Sequence, residues 1–98
     1  MQPADRKQEI LTAAIKVVGL PGGWSKLTRE AVAREAGCAE GLVSKYFGTM
    51  ITFRRSIMRA AIAGENLEVI AQGLAAGDKC AQKVDPELKA RALATLVG

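Results

Sequence analysis

The chain has 98 residues, 49% of them hydrophobic but only four aromatic, and a net charge of +4. A core of that make-up is aliphatic and rich in Ala, which favours helices over sheet, and at this length it is modest. Histidine, the commonest general base and metal ligand, is missing; neither a GxxxxGKS/T nor a GxGxxG phosphate loop is present; and Cys38 and Cys80 are too few and too isolated for a disulfide framework or a metal site. Neither an enzyme nor a cofactor is expected.

In chain order, Asp5 to Val18 is predicted as the first helix, with Ile10, Leu11, Ala14, Val17 and Val18 recurring at three and four. Gly19-Leu20-Pro21-Gly22-Gly23 breaks it. Thr28 can cap a second helix over Arg29 to Ala36, Gly37-Cys38-Ala39 forms a turn, and a third helix runs from about Glu40 to Phe47. Gly48-Thr49 interrupts, with Thr49 a cap for a fourth helix that ends near Gly64. Asn66 to Ala76 reads as a fifth helix, and the pattern leaves open whether it continues the fourth. Gly77 to Val84 reads as a polar loop, and Asp85-Pro86 starts a last helix over Glu87 to Val97.

The stretch Val32 to Phe47 is the most informative. Ala33, Gly37 and Val43 stand where two short helices need a small residue, a left-handed turn residue and a core residue to cross tightly. That is a helix-turn-helix pattern, whose second helix is shaped for a DNA major groove. On a wheel at about 100° per residue, Val43 and Phe47 point to the core, while Gly41, Ser44 and Lys45 face out. Gly41 lets the backbone approach a groove, Ser44 can bond a base edge, and Lys45 can reach guanine O6 or N7, or a phosphate. Tyr46 at the rim can give its hydroxyl to a phosphate. Glu40 can accept from cytosine N4 or repel wrong sequences.

Ser25, Lys26, Thr28 and Arg29 cluster at the start of the second helix, where free N–H groups and the dipole favour a phosphate. Thr28 serves equally as a plain cap. Trp24 either anchors the loop on the core or touches a DNA backbone, and Arg54, Arg55 and Arg59 read as solvated or paired, with a flanking-phosphate contact as the alternative. Residues 1–59 hold ten basic and five acidic side chains and residues 60–98 four and five, so a basic head precedes a near-neutral tail, the footprint of a polyanion-binding module.

These residues resemble the DNA-binding domain of TetR-family transcriptional repressors over the first 60 or so positions. The matching signals are Ile10-Leu11 and Ala14, then Leu27-Thr28 leading into Val32-Ala33-Ala36-Gly37, and Tyr46-Phe47-Gly48. The resemblance implies a homodimer on palindromic double-stranded DNA and, by position, contacts from Thr28, Gly41, Ser44, Lys45 and Tyr46. Two residues depart from it: Ala39 stands where a capping Ser is usual, and Met50 where a phosphate-binding Lys is usual. Short repressors of conjugative plasmids are similar too.

The expected architecture is therefore all-α: a three-helix helix-turn-helix head, residues 1–64, followed by two or three short helices in a dimerisation tail, residues 65–98. No apolar run reaches the ~18 residues of a membrane span and no signal peptide is recognisable, so a cytoplasmic protein with no membrane partner is expected. The short tail predicts no small-molecule ligand or inducer. The rival reading is a helical protein-interaction module or anti-repressor, which salt-dependent DNA binding would separate from the first.

Overall fold

The computed structural model describes residues 3–97, with no account of the side chains of residues 3, 4 and 97. All regular structure among them is helical: α1 (Pro3–Val18), α2 (Arg29–Ala36), α3 (Glu40–Phe47), α4 (Met50–Ala63), α5 (Leu67–Ala76), α6 (Lys79–Gln82) and α7 (Pro86–Val97). The chain divides into two compact units, Met1–Ile57 and Met58–Gly98, with the division falling inside α4.

In the first unit, α1 packs on α2 and α2 on α3. The fully buried positions Ile10, Ala14 and Val18 recur at four along α1, the spacing that puts side chains on one helical face. Val32 and Ala33 from α2, and Val43 and Phe47 from α3, complete that layer. Phe53 of α4 joins it through its ring, 4.8 Å from that of Phe47, centroid to centroid. A salt bridge of 2.9 Å between Lys16 and Glu35 links α1 to α2 at the surface.

The cap chemistry defines α2 and α3. Thr28 takes an extended conformation and its hydroxyl accepts from the Ala31 N–H at 3.1 Å, satisfying one of the donors that a helix start leaves open. At the other end Gly37 adopts φ 70°, ψ 37°. The Cys38 N–H reaches back to the Ala33 carbonyl at 3.0 Å and the Gly37 N–H to that of Arg34 at 3.3 Å, the paired bonds of a Schellman ending. α3 starts after Ala39, which has the extended backbone of a cap but no side chain to act as one.

In the second unit, α5 packs against α6 and α7, burying Val69, Ile70 and Ala71 of α5, Ala81 of α6 and Ala92 of α7. α4 and α5 are separate helices. The chain leaves α4 through Glu65 at φ 52°, and the Asn66 side chain caps α5 by accepting from the Val69 N–H at 3.3 Å. The segment read from the sequence as a polar loop, residues 77–84, contains the single turn α6. Gly77 ends α5 in the left-handed region and Asp78 immediately caps the next turn, accepting from the Ala81 N–H at 2.9 Å. No helix among the described residues is long and apolar enough to cross a membrane.

Candidate nucleic-acid interface

The positions singled out in the sequence fall at two places in the first unit. Gly41, Ser44 and Lys45 are all exposed on α3, and their spacing of three and four puts them on one face. The side chains of Ser44 and Lys45 have no hydrogen-bond or ion-pair partner among the described residues, so donors and acceptors there are free for a ligand. A Cβ added to Gly41 would meet no atom within 4 Å; nothing inside the protein asks for glycine at that point. Tyr46 is half-buried at the edge of the same face, while Val43 and Phe47 turn inward.

The second place is the start of α2. Leu27, Thr28, Arg29 and Glu30, together with Glu40 at the start of α3 and Met50 at the start of α4, line a hollow of about 300 Å³. The fold thereby brings Thr28 and Arg29 to the same hollow as Glu40. Thr28 is exposed and engaged as the cap. The α2 N-terminus offers this hollow the positive end of its dipole, while the Glu40 and Glu30 carboxylates bring negative charge to its wall. Lys26 is exposed beside it. Ser25 is exposed, and its hydroxyl proton is donated to the Gly22 carbonyl at 3.0 Å.

Arg29 does more than its position in the sequence indicates. It is half-buried, and its Nη2 donates to the Gly48 carbonyl at 3.4 Å, across nineteen positions of chain. Its Nε is buried with no partner. The side chain thus braces the start of α2 against the turn between α3 and α4. Trp24 is anchored in the core at 5% exposure. Arg6 pairs with Glu9 at 3.5 Å, and the Lys7 ammonium lies 5.6 Å over the Phe47 ring.

Two residues named from the sequence have contacts that it does not show. Arg54 donates from Nη1 to the Trp24 carbonyl at 2.6 Å, and its guanidinium lies 5.1 Å from the Trp24 ring centroid. Gly23 is wedged against the backbone of α1, where any Cβ would collide with carbonyl oxygens. Arg54 and Trp24 lie thirty positions apart, beyond the reach of any periodicity. The run Gly22-Gly23 signals a turn but not which of the two glycines is sterically required.

No group of three or more Cys, Asp or Glu side chains among the described residues is placed to hold a metal ion. Comparison of the chain with protein families, with curated proteins and with solved structures finds no match.

Proposed function

We propose that this chain is a sequence-specific double-stranded DNA-binding protein that works as a transcriptional repressor. In this reading α2 and α3 form a helix-turn-helix, α3 enters the major groove, and a bound homodimer covers promoter DNA and blocks polymerase. The observation that carries it is the outward face of α3. It is small at Gly41, polar at Ser44 and basic at Lys45, free of internal partners, and held on an eight-residue helix that follows a left-handed glycine turn. A major groove about 12 Å wide admits an α-helix, and polar side chains without internal partners on its outward face can read base edges there.

Three further points support the reading. The first 59 residues carry the basic excess, which a polyanion partner requires. The start of α2, with Thr28, Lys26 and the helix dipole, suits a phosphate beside the groove. The resemblance to TetR-family repressors covers the same residues and adds the homodimer, whose two recognition helices would meet half-sites about 34–36 Å apart, one turn of DNA.

The test is selection of bound sequences from random duplex DNA, followed by gel shifts across salt. A palindrome should emerge, with log affinity falling against log salt by about 0.9 per phosphate contacted. Lys45→Ala should cost about 1–3 kcal/mol and relax the selected site, whereas Tyr46→Phe should weaken all duplexes alike. Equal binding to single strands and every duplex, or none at low salt, would sink the reading and leave a helical protein-interaction module in its place.

A further inference from the structure

We propose that Arg54 is a positioning residue for DNA binding: by gripping Trp24 it fixes the segment that presents Lys26 and Thr28 to phosphate. The inference rests on the DNA-binding reading above. Arg54 lies on the part of α4 that belongs to the first unit. One planar guanidinium makes two contacts with one residue: Nη1 donates to the Trp24 carbonyl at 2.6 Å, and the cation faces the indole ring at 5.1 Å. The first contact fixes the backbone at position 24 and the second fixes its side chain. A guanidinium presents its donors in a rigid plane and stacks on an aromatic face, which a lysine ammonium on its flexible stem does not.

The segment between Trp24 and α2 is short, and both of its ends are held. Trp24 is buried under Arg54 at one end, and at the other Thr28 caps α2. Lys26 and Thr28 sit between or at those points, exposed, with their placement set by the two anchors. Release of Trp24 frees Lys26 and loosens the cap, so the phosphate site loses its geometry while α3 keeps its face. Arg54 is half-buried, with its guanidinium turned to Trp24. The neighbouring Arg55 is exposed and has no partner among the described residues, which makes it the control for charge alone.

The experiment compares Arg54→Gln with Arg55→Gln in the full chain, each of which removes one positive charge from the same helix. Trp24 is the only tryptophan, so its emission reports the grip without any label. Arg54→Gln should red-shift that emission with helical circular dichroism unchanged. It should weaken every duplex by about tenfold, as expected for one or two lost phosphate contacts, and flatten the salt slope. It should leave the selected sequence unaltered. Arg55→Gln should leave the emission in place and change affinity far less. Equal losses in the two variants, or an unshifted Trp24 emission in Arg54→Gln, overturns the proposal while duplex binding by the wild type stands. A wild type with no salt-dependent duplex binding ends the functional reading and this inference together. Should Arg54→Gln fail to fold, Arg54→Lys carries the same comparison, because it keeps charge and one donor but loses the planar contact.

Discussion

Gly23 lies directly against the carbonyl oxygen of Val17. A Cβ at position 23 would stand inside van der Waals contact with that oxygen, and 2.9 Å from the Leu20 carbonyl oxygen and from the Val18 Cα. All three neighbours are backbone at or just beyond the end of α1, so none can swing aside. Gly23 is not among the glycines of positive φ; space, rather than conformational freedom, dictates it. Gly23→Ala should therefore destabilise the first unit by about 1–3 kcal/mol, the usual cost of overpacking. Gly22→Ala provides the contrast, since its strain would come from φ +73° while the nearest atom to the Cβ would be the end of the Lys26 side chain, at 4.0 Å. Urea denaturation followed by circular dichroism gives both values.

The residues that frame α2 and α3 were legible in the sequence for a physical reason. Thr28, Gly37 and Gly48 punctuate the chain through local bonds, and the helices between them have the limits that those residues imply. The end of α4 near Gly64 and the start of α5 at Asn66 were legible too, but whether the two helices are continuous was not. The left-handed position there is filled by Glu65 instead of glycine, although the same paired bonds close the helix, from Asn66 to Ala61 at 2.8 Å and from Glu65 to Ile62 at 3.1 Å. The turn α6 was missed because four residues are too few to display a period, and Asp78 was the signal available. In the candidate site, the outward face of α3 followed from its helical spacing. The bonds from Arg29 to Gly48 and from Arg54 to Trp24 join residues distant in sequence, and only the packed chain brings them together.

Ala39 supplies the second prediction. Its backbone, φ −77° and ψ 146°, is already that of a cap, but its methyl group bonds nothing. Ala39→Ser places a hydroxyl where the open N–H groups of α3 need an acceptor, and the substitution should stabilise the protein by about 1 kcal/mol. The midpoint of a urea titration should rise with its slope unchanged.

Gly41 separates stability from binding. Glycine inside a helix costs about 0.5–1 kcal/mol relative to alanine, and a Cβ there meets nothing within 4 Å. Gly41 is the second residue of α3, so Gly41→Ala should gain up to that amount in stability. If the α3 backbone approaches a groove at this position, the same methyl group must weaken duplex binding. Opposite signs in thermal melts and gel shifts are the expected result; a variant that gains stability and keeps full affinity would remove Gly41 from the interface.

The Lys16–Glu35 pair predicts a pH dependence. The hydrogen bond and charge of Glu35 raise the Lys16 pKa above its ordinary 10.5. A folded-state pKa raised above the unfolded value means that the contribution is fully present below 10.5 and is lost as pH rises through the higher folded value. The difference in stability between wild type and Glu35→Gln should therefore shrink on the alkaline side of 10.5. Both side chains are substantially exposed, so the effect is small and screened by added salt. Denaturant titrations of the two proteins at a series of alkaline pH values, with and without salt, check it.

The proposed homodimer makes the last prediction. α7 buries Ala92 on the side packed against α5, yet Leu93 and Leu96 are 42% and 56% exposed. Their spacing of three places them together on another side of the helix. Two large apolar side chains on one outward helical face are expected to be covered when copies pair about a twofold axis. Replacing both with Lys should leave the second unit folded, because neither side chain belongs to its buried core. Four leucines withdrawn from a symmetric interface, at about 25 cal/mol per Å² of apolar area, should raise the dimer Kd by well over about tenfold. Sedimentation equilibrium of wild type and Leu93→Lys/Leu96→Lys reads this directly. Gel shifts should then show half-site binding kept and full-palindrome binding weakened. An unchanged dimer in the double variant would move the interface off α7.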